Sequence, residues 1–356
     1  MTFTADMDHR DVLAWLKSAP GFESDRLFKW ADETRQKEVG TAVFLRGLIE
    51  ISNYCSRHCL YCGLRAPNHH LSRYRMTSDE IMESVRLARS LGYGTVVLQG
   101  GEDEGLTRDF ISALIRRIKE EVGLAVTLSL GERKSEDYLA WKQAGADRYL
   151  LRFETSDIDL YSMLHPAQQD KEAHRLTVVR SLSAMGFETG SGVMVGLPGQ
   201  SFQSLSEDLL LFRELNLDMI GVGPYIPHPE TPLLQDLLHA QAAADPVPAT
   251  MEMALKVIAL ARLLCPQANI PATTALATLS PESGYRLGLQ CGANVLMPNL
   301  TPMTYRVKYE IYPEKASLKA VDAEYDATID RLIHSLGRKV GEGVGQSGAF
   351  QQRSRL

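Results

Sequence analysis

Three thiols fall close together at Cys55, Cys59 and Cys62, in the run CSRHCLYC. Sulfur donors bunched this way are poorly placed for pairwise disulfides and suit a soft metal in a reducing compartment. Two kinds of centre fit the spacing. Three thiolates can hold three corners of a cubane iron–sulfur cluster and leave one iron open. A structural zinc ion would need a fourth ligand, for which His58 lies inside the run while His69 and His70 follow it. The other two of the five cysteines, Cys265 and Cys291, stand singly in LARLLCPQ and LGLQCGAN and read as small buried hydrophobes.

The elements around such a centre follow from periodicity. Residues 8–40 read as helical, and from residue 44 short β-rich runs alternate with segments that repeat apolar residues every three or four positions. The runs are 44–52, 95–99, 124–130, 148–154, 189–197, 218–226, 269–276 and 293–298. Thr77 with Glu80, and Ser201 with Ser204 or Glu207, stand where helix N-caps and first-turn acids belong, and Gly92, Gly123, Gly145 and Gly186 where helices close. Eight strands alternating with helices imply parallel βαβ units. They favour an α/β fold of the closed (β/α)8 TIM-barrel type over an open doubly wound sheet. The expected organisation is an N-terminal helical segment over 1–43, the barrel over 44–315, and a C-terminal helix with a mobile Gly- and Gln-rich tail over 316–356. Active sites of such barrels lie at the C-terminal ends of the strands. The thiol triplet comes directly after the first strand.

Composition narrows the partners. The chain has 356 residues, 38 basic and 44 acidic, for a net charge of −6. That balance lacks the basic footprint of a nucleic-acid binder. No apolar run approaches the roughly 20 residues that span a bilayer, so neither a nucleic-acid nor a membrane partner is expected. The opening MTFTADMDHR lacks the basic and apolar regions of a signal peptide, and a cytoplasmic protein is expected. At 44% hydrophobic residues, a chain of this length can fold without disulfides or a structural metal.

The C-x3-C-x-aromatic-C triplet after the first strand of a barrel resembles the radical S-adenosylmethionine (radical SAM) superfamily. That resemblance implies one [4Fe–4S] cluster on Cys55, Cys59 and Cys62, with SAM chelating the open iron. Reduction then breaks the sulfonium C–S bond and forms a 5′-deoxyadenosyl radical, inside walls that exclude water. It further implies cofactor contacts from Tyr61 near the adenine, from Gly100, Gly101 and Glu102 of QGGED toward the methionine ammonium, from Glu154 toward ribose or ammonium, and from Arg175 toward the carboxylate. GVMVGLPGQ (192–200) resembles the strand that packs against adenine.

The likeness extends, in order and spacing, through EISNYCSRHCLYCGLR, VVLQGGED, VTLSLGER, AGADRYLLRFET, MVGLPGQ, GPYIPHPETPL, NIPATTA and CGANVLMPNLTPMTYR. These resemble the HydE-type maturases of [FeFe]-hydrogenase, with biotin synthase and methylornithine synthase as more distant relatives. The resemblance implies a small organometallic substrate, a cysteine-bound iron dicarbonyl cyanide, used to build the diiron subcluster of the hydrogenase. It also implies an electron donor such as ferredoxin or flavodoxin, and companion maturases that include a scaffold GTPase.

Strand ends supply the candidate substrate cavity: Gln99, Thr127, Arg148, Arg152, Thr273, Thr274 and Met297, with Tyr305, Tyr309 and Tyr312 beyond the last strand. Two arginines and a pair of threonines at an apolar mouth suit a small anion. Strand parity puts Arg148 and Arg152 on the face of Glu154, so both are expected inward, toward an anionic substrate; the structural alternative is pairing with Glu132, Glu154 or other barrel acids. HPETP (228–232), with its single His228, reads as a rigid loop. Phe153 replaces an expected histidine and Gly100 an expected serine, both at the cavity wall. Residues 310–356 hold no cysteine for a second cluster. Two further readings stay open: a radical mutase or synthase acting on an amino acid, like methylornithine synthase, and a non-catalytic metal or cluster scaffold. The latter would have no use for Gly100, Gly101 and Glu154.

Overall fold

The computed structural model of the chain describes residues 6–166, 175–235, 243–313 and 323–354. Its centre is a parallel sheet of β1 (Ala42–Ser52), β2 (Thr95–Gly100), β3 (Ala125–Ser129), β4 (Arg148–Leu150), β5 (Glu188–Val195), β6 (Met219–Pro224) and β7 (Val295–Leu296), in the order β6-β5-β4-β3-β2-β1-β7. Helices cover the outside, so the strands are buried on both faces and read as near-continuous apolar runs. The expected caps are present. Thr77 and Glu80 form a reciprocal capping box, as do Ser201 and Ser204, and Gly92, Gly123, Gly145 and Gly186 all take positive φ at helix ends.

The ring closes differently from the expectation of a seventh strand over 269–276. Only its first residues pair, through bridges from Asn269 to Met219 and from Pro271 to Val295. The helix Thr274–Leu279 then begins, with Thr273 at its N-cap. Residues 269–272 therefore fill the eighth position between β6 and β7, and the (β/α)8 barrel architecture stands. β4 is also shorter than 148–154, because Glu154 adopts φ 65°, outside strand geometry. Outside the ring, the helix Met251–Leu264 lies between the helix Phe22–Val39 and β6, which explains its apolar character on all faces.

The mouth at the N-terminal ends of the strands is stoppered. A short strand, β8 (Lys339–Val340), pairs with the first residues of β1, and the chain then crosses the barrel floor. A Cβ on Gly94 would stand 1.8 Å from the Gly343 carbonyl oxygen, so only glycine allows that crossing. The Val344 carbonyl accepts from Thr95 and Arg148 at 3.0 and 2.8 Å. The Gly345 carbonyl accepts from Arg46 and Asn269, both at 3.0 Å. Ser347 donates to Glu188 and Asp218, and Arg353 pairs with Asp218 at 2.6 Å. The tail expected to be mobile is thus docked over 339–353, because its carbonyls satisfy guanidinium groups that burial would otherwise leave unpartnered. Of the expected C-terminal portion, 316–322 and 355–356 lie outside the described residues.

Candidate functional site

At the opposite mouth, β1 runs into an irregular loop, 53–75, that carries the three cysteines. Backbone bonds fasten it on three sides: Ser56 N–H to Glu102 O, Leu60 N–H to Leu164 O and Gly63 N–H to Ile311 O, at 2.9 to 3.1 Å. Arg73 staples it from within, donating to the carbonyls of Asn53, Leu64, Arg65 and Asn68. The close fit needs Gly101, where a Cβ would stand 2.3 Å from the Tyr54 carbonyl and 2.7 Å from Cys55 Cβ. Gly101 therefore makes room for the cysteine loop. Gly100 sits at ordinary contact distances and lines the cavity beside it.

Burial pushes all three thiols up: Cys55 moderately, Cys59 to about 11, and Cys62 further still, with the charges of the neighbouring cysteines adding to the rise for Cys59 and Cys62. With no metal bound these thiols keep their protons, and a strongly cationic partner would displace them, releasing the protons to solvent. Among the described residues, no three His, Cys, Asp or Glu side chains converge as a single-ion site requires. A cubane spreads its corner thiolates more widely than one ion does, so a three-cysteine donor set fits the cluster better than the zinc site with His58.

Beside the loop lies a buried network of four charges. Arg57, inside the cysteine run, donates to Glu132 Oε1 at 2.8 Å and stands 3.5 Å from Glu102 Oε2. Arg175 donates from Nε to the same Glu132 oxygen at 3.1 Å and from Nη1 to the Arg152 carbonyl at 3.0 Å. Glu102, pushed up by burial and by the charge of Glu132 but drawn down by both arginines, reaches this network because Gly131 has φ 72° and no Cβ to block its stem. The Tyr61 hydroxyl lies 2.8 Å from His165 Nε2, while His165 Nδ1 lies 3.0 Å from the Tyr161 carbonyl. That second contact puts the imidazole proton on Nδ1, so Nε2 accepts from Tyr61.

A cavity of about 280 Å³ opens inside the barrel below these groups. Of the expected residues, Gln99, Gly100, Thr127, Arg152, Glu154, Arg175, Thr273, Thr274, Met297 and Tyr312 line it. Arg152 pairs with Glu154 at 3.2 Å. The turn after Glu154 is held by Asp208 Oδ1, which accepts from both the N–H and the hydroxyl of Ser156 at 2.6 Å. Burial pushes Asp208 up to about 7.

Four expected placements are corrected. Arg148 points inward but sits at the floor, fully buried, bonded to Glu188 at 2.5 Å, to Thr95 and to the Val344 carbonyl. It offers no group to a substrate in the cavity. Tyr305 leans on Tyr74 outside the barrel and donates to Glu80 at 2.5 Å. Tyr309 is buried behind the wall, hydrogen-bonded to Gln99. Phe153 points away from the cavity onto Phe212. Cys265 and Cys291 are buried, as expected.

The cavity also holds residues the sequence reading missed. Arg46, Leu48 and Glu50 alternate along β1 and face inward, joined by Met219 and Asn269. The period-two pattern in RGLIE, with a charge at each end, carried that signal. Arg46 is pulled down to about 9 by burial and by Arg148, and it rests between Met219 Sδ and the Gly345 carbonyl. His165 left no periodic or motif signal.

A barrel with a three-cysteine loop after its first strand and a charged cavity below it defines a class, and the chain belongs to the radical SAM superfamily. The superfamily's sequence profile matches residues 49–212. The chain is 47% identical over 322 residues, 90% of its length and 88% of the relative's, to the [FeFe] hydrogenase maturase subunit HydE of Thermotoga maritima. It is 30% identical over 341 residues, 94% of its length and 88% of the relative's, to 3-methylornithine synthase of Methanosarcina barkeri. In fold it matches the crystal structure of methylornithine synthase with a TM-score of 0.79 at 24% identity, over 98% of this chain and 96% of that one. It is an enzyme of this superfamily, whose cofactors are a [4Fe–4S] cluster and SAM. Among the described residues, no helix is long and apolar enough to cross a membrane.

Proposed function

We propose that this enzyme is a HydE-type maturase, which uses SAM to act on a small organometallic substrate during assembly of the diiron subcluster of [FeFe]-hydrogenase. The carrying observation is 47% identity to the Thermotoga maritima HydE protein across 90% of the chain. When bound, the reduced cluster and SAM supply a 5′-deoxyadenosyl radical. Cys55, Cys59 and Cys62 hold the cluster at one corner of the barrel mouth. Tyr61, fixed by His165, walls the cofactor, while the backbone of Gly100, Gly101 and Glu102 and the side chains of Glu154 and Arg175 orient the methionine end.

The cavity then receives the substrate. Arg152, Thr273 and Thr274 supply donors for its anionic and cyanide-like groups, and Gln99, Thr127, Met297 and Tyr312 shape the wall. Thr127 Oγ1 is buried there with no hydrogen-bond partner in the structure, as a donor awaiting a ligand would be. A ferredoxin or flavodoxin supplies the electron, and companion maturases, including a scaffold GTPase, supply substrate and receive product in the cytoplasm.

The test is maturation in vitro. Adding the reconstituted enzyme to an extract that lacks only its HydE should restore hydrogenase activity. The second reading, an amino-acid mutase or synthase, draws on the 30% identity to 3-methylornithine synthase. It gains if no hydrogenase activity returns and 3-methylornithine is formed instead.

A further inference from the structure

We propose that Glu132 is a positioning residue that sets the guanidinium of Arg175 and ties it to the cysteine loop, so that cluster and SAM carboxylate are held in one frame. This rests on the reading above, in which Arg175 receives the methionine carboxylate.

The geometry of the guanidinium carries the argument. Arg175 spends Nε on Glu132 and Nη1 on the Arg152 carbonyl, at 3.1 and 3.0 Å. Its Nη2 stands 3.8 Å from Glu102 Oε1, beyond hydrogen-bond reach, and the residue lines the cavity. Two of its three nitrogens are therefore committed to protein and the third is left toward the chamber. A free arginine gives up about 2 kcal/mol of rotamer entropy on being fixed, and one already fixed gives up less when a ligand arrives.

Glu132 is well placed to do the fixing. It follows Gly131, whose φ of 72° turns the chain at the end of β3, and its carboxylate is almost fully buried. The same Oε1 that accepts from Arg175 accepts from Arg57 at 2.8 Å. Arg57 stands between Cys55 and Cys59. One carboxylate oxygen thus links the loop that carries the cluster ligands to the side chain that meets SAM. Two buried arginines facing Glu132 and Glu102 leave the network neutral, so it can persist without solvent.

A contrary effect has to be weighed. Glu132 is itself an anion near the place where the SAM carboxylate must sit, and its removal would lessen repulsion. If competition dominated, loss of Glu132 would tighten SAM binding; if positioning dominates, it weakens it. Charge-assisted hydrogen bonds that orient a ligand are worth about tenfold or more in affinity.

The experiment measures equilibrium binding of SAM, and of decarboxylated SAM, to the cluster-loaded protein, with iron content checked in each variant. Glu132→Ala should bind SAM about tenfold more weakly and decarboxylated SAM equally well, since the analogue lacks the group Arg175 receives. Arg175→Ala should show the same selective loss, and the double variant should lose no more than either alone. Glu132→Gln, which keeps the shape and an acceptor, should recover part of the loss and guards against a folding failure. Tighter or unchanged SAM binding in Glu132→Ala, with Arg175→Ala still selective, overturns the positioning role alone. An equal loss for both ligands marks Glu132 as merely structural and also overturns it. If Arg175→Ala does not discriminate between the two ligands, the reading of Arg175 fails and the proposal falls with it.

Discussion

Arg148 and Arg152 share one strand direction and one inward face, four residues apart, yet they meet opposite surroundings. Arg148 lies at the floor, where Glu188, Thr95 and the Val344 carbonyl take its donors. Arg152 lies at the cavity, where Glu154 is its one charged partner among the described residues, at 3.2 Å, and open space lies beyond. The two ends of the barrel differ in the same way. The floor is served mostly by the chain's own tail, through the carbonyls of Val344 and Gly345 and the side chains of Ser347 and Arg353, with Arg46 Nε and Arg353 Nη1 left without a hydrogen-bond partner. The cavity above it keeps buried polar groups facing a void, among them Thr127 Oγ1. Polar groups completed by protein contribute to stability, whereas those left toward a cavity await a ligand.

This contrast can be broken most forcefully at Arg148. Arg148→Met leaves Glu188 buried with the Ser347 N–H as its one hydrogen-bond donor among the described residues, and should lower stability by about 3–5 kcal/mol. Urea unfolding of the apo chain measures it. SAM affinity of whatever folds should stay unchanged; a selective loss of substrate turnover with full stability would return Arg148 to the cavity.

A smaller effect belongs to Asp208, beneath the turn that follows Glu154. Its carboxyl titrates near 7 when folded, against an ordinary value of 3.8, because burial disfavours the charge. The folded state then binds more protons than the unfolded state between about pH 4 and 7, so this group makes stability fall as pH rises through that window and level off above it. Asp208→Asn cannot ionise and should lack that contribution. Thermal unfolding of both proteins at pH 5 and pH 8 gives the difference, and parallel pH dependence in the two would refute it.

The smallest effect on stability is expected at Arg152. Arg152→Met removes a partly exposed ion pair and should cost about 1 kcal/mol. Iron content and SAM cleavage without substrate should survive while substrate turnover falls. Normal maturation by that variant would show that the cavity arginine is only a partner for Glu154.

The same comparison shows what a sequence makes legible. Strand and helix alternation, capping boxes and closing glycines are local signals, and they locate seven strands and the thiol loop. Strand parity told which residues turn inward, but not at what height along the barrel they stand. At about 3.3 Å per residue, four positions separate the floor from the chamber. Parity alone therefore groups Arg148 with Arg152, and the inward pattern of Arg46 and Glu50 in RGLIE does not by itself mark them as cavity residues. Long-range contacts left no local trace. Nothing in GEGVGQSGAF announces that its carbonyls serve arginines of β1 and β4, and nothing near His165 announces Tyr61. Phe153 reads as a cavity residue by neighbourhood alone, yet the backbone turn into Glu154 at φ 65° sends it to Phe212.

The central claim is that the upper mouth, with its three thiols, is a radical SAM centre. The most direct measurement is anaerobic: reconstitute the chain with iron and sulfide, reduce it with dithionite in the presence of SAM, and quantify the products. The account predicts four irons per chain and 5′-deoxyadenosine with methionine in equal amounts, and neither product from Cys59→Ala despite an unchanged circular dichroism spectrum. One zinc per chain with no iron, or undiminished 5′-deoxyadenosine from Cys59→Ala, would contradict it.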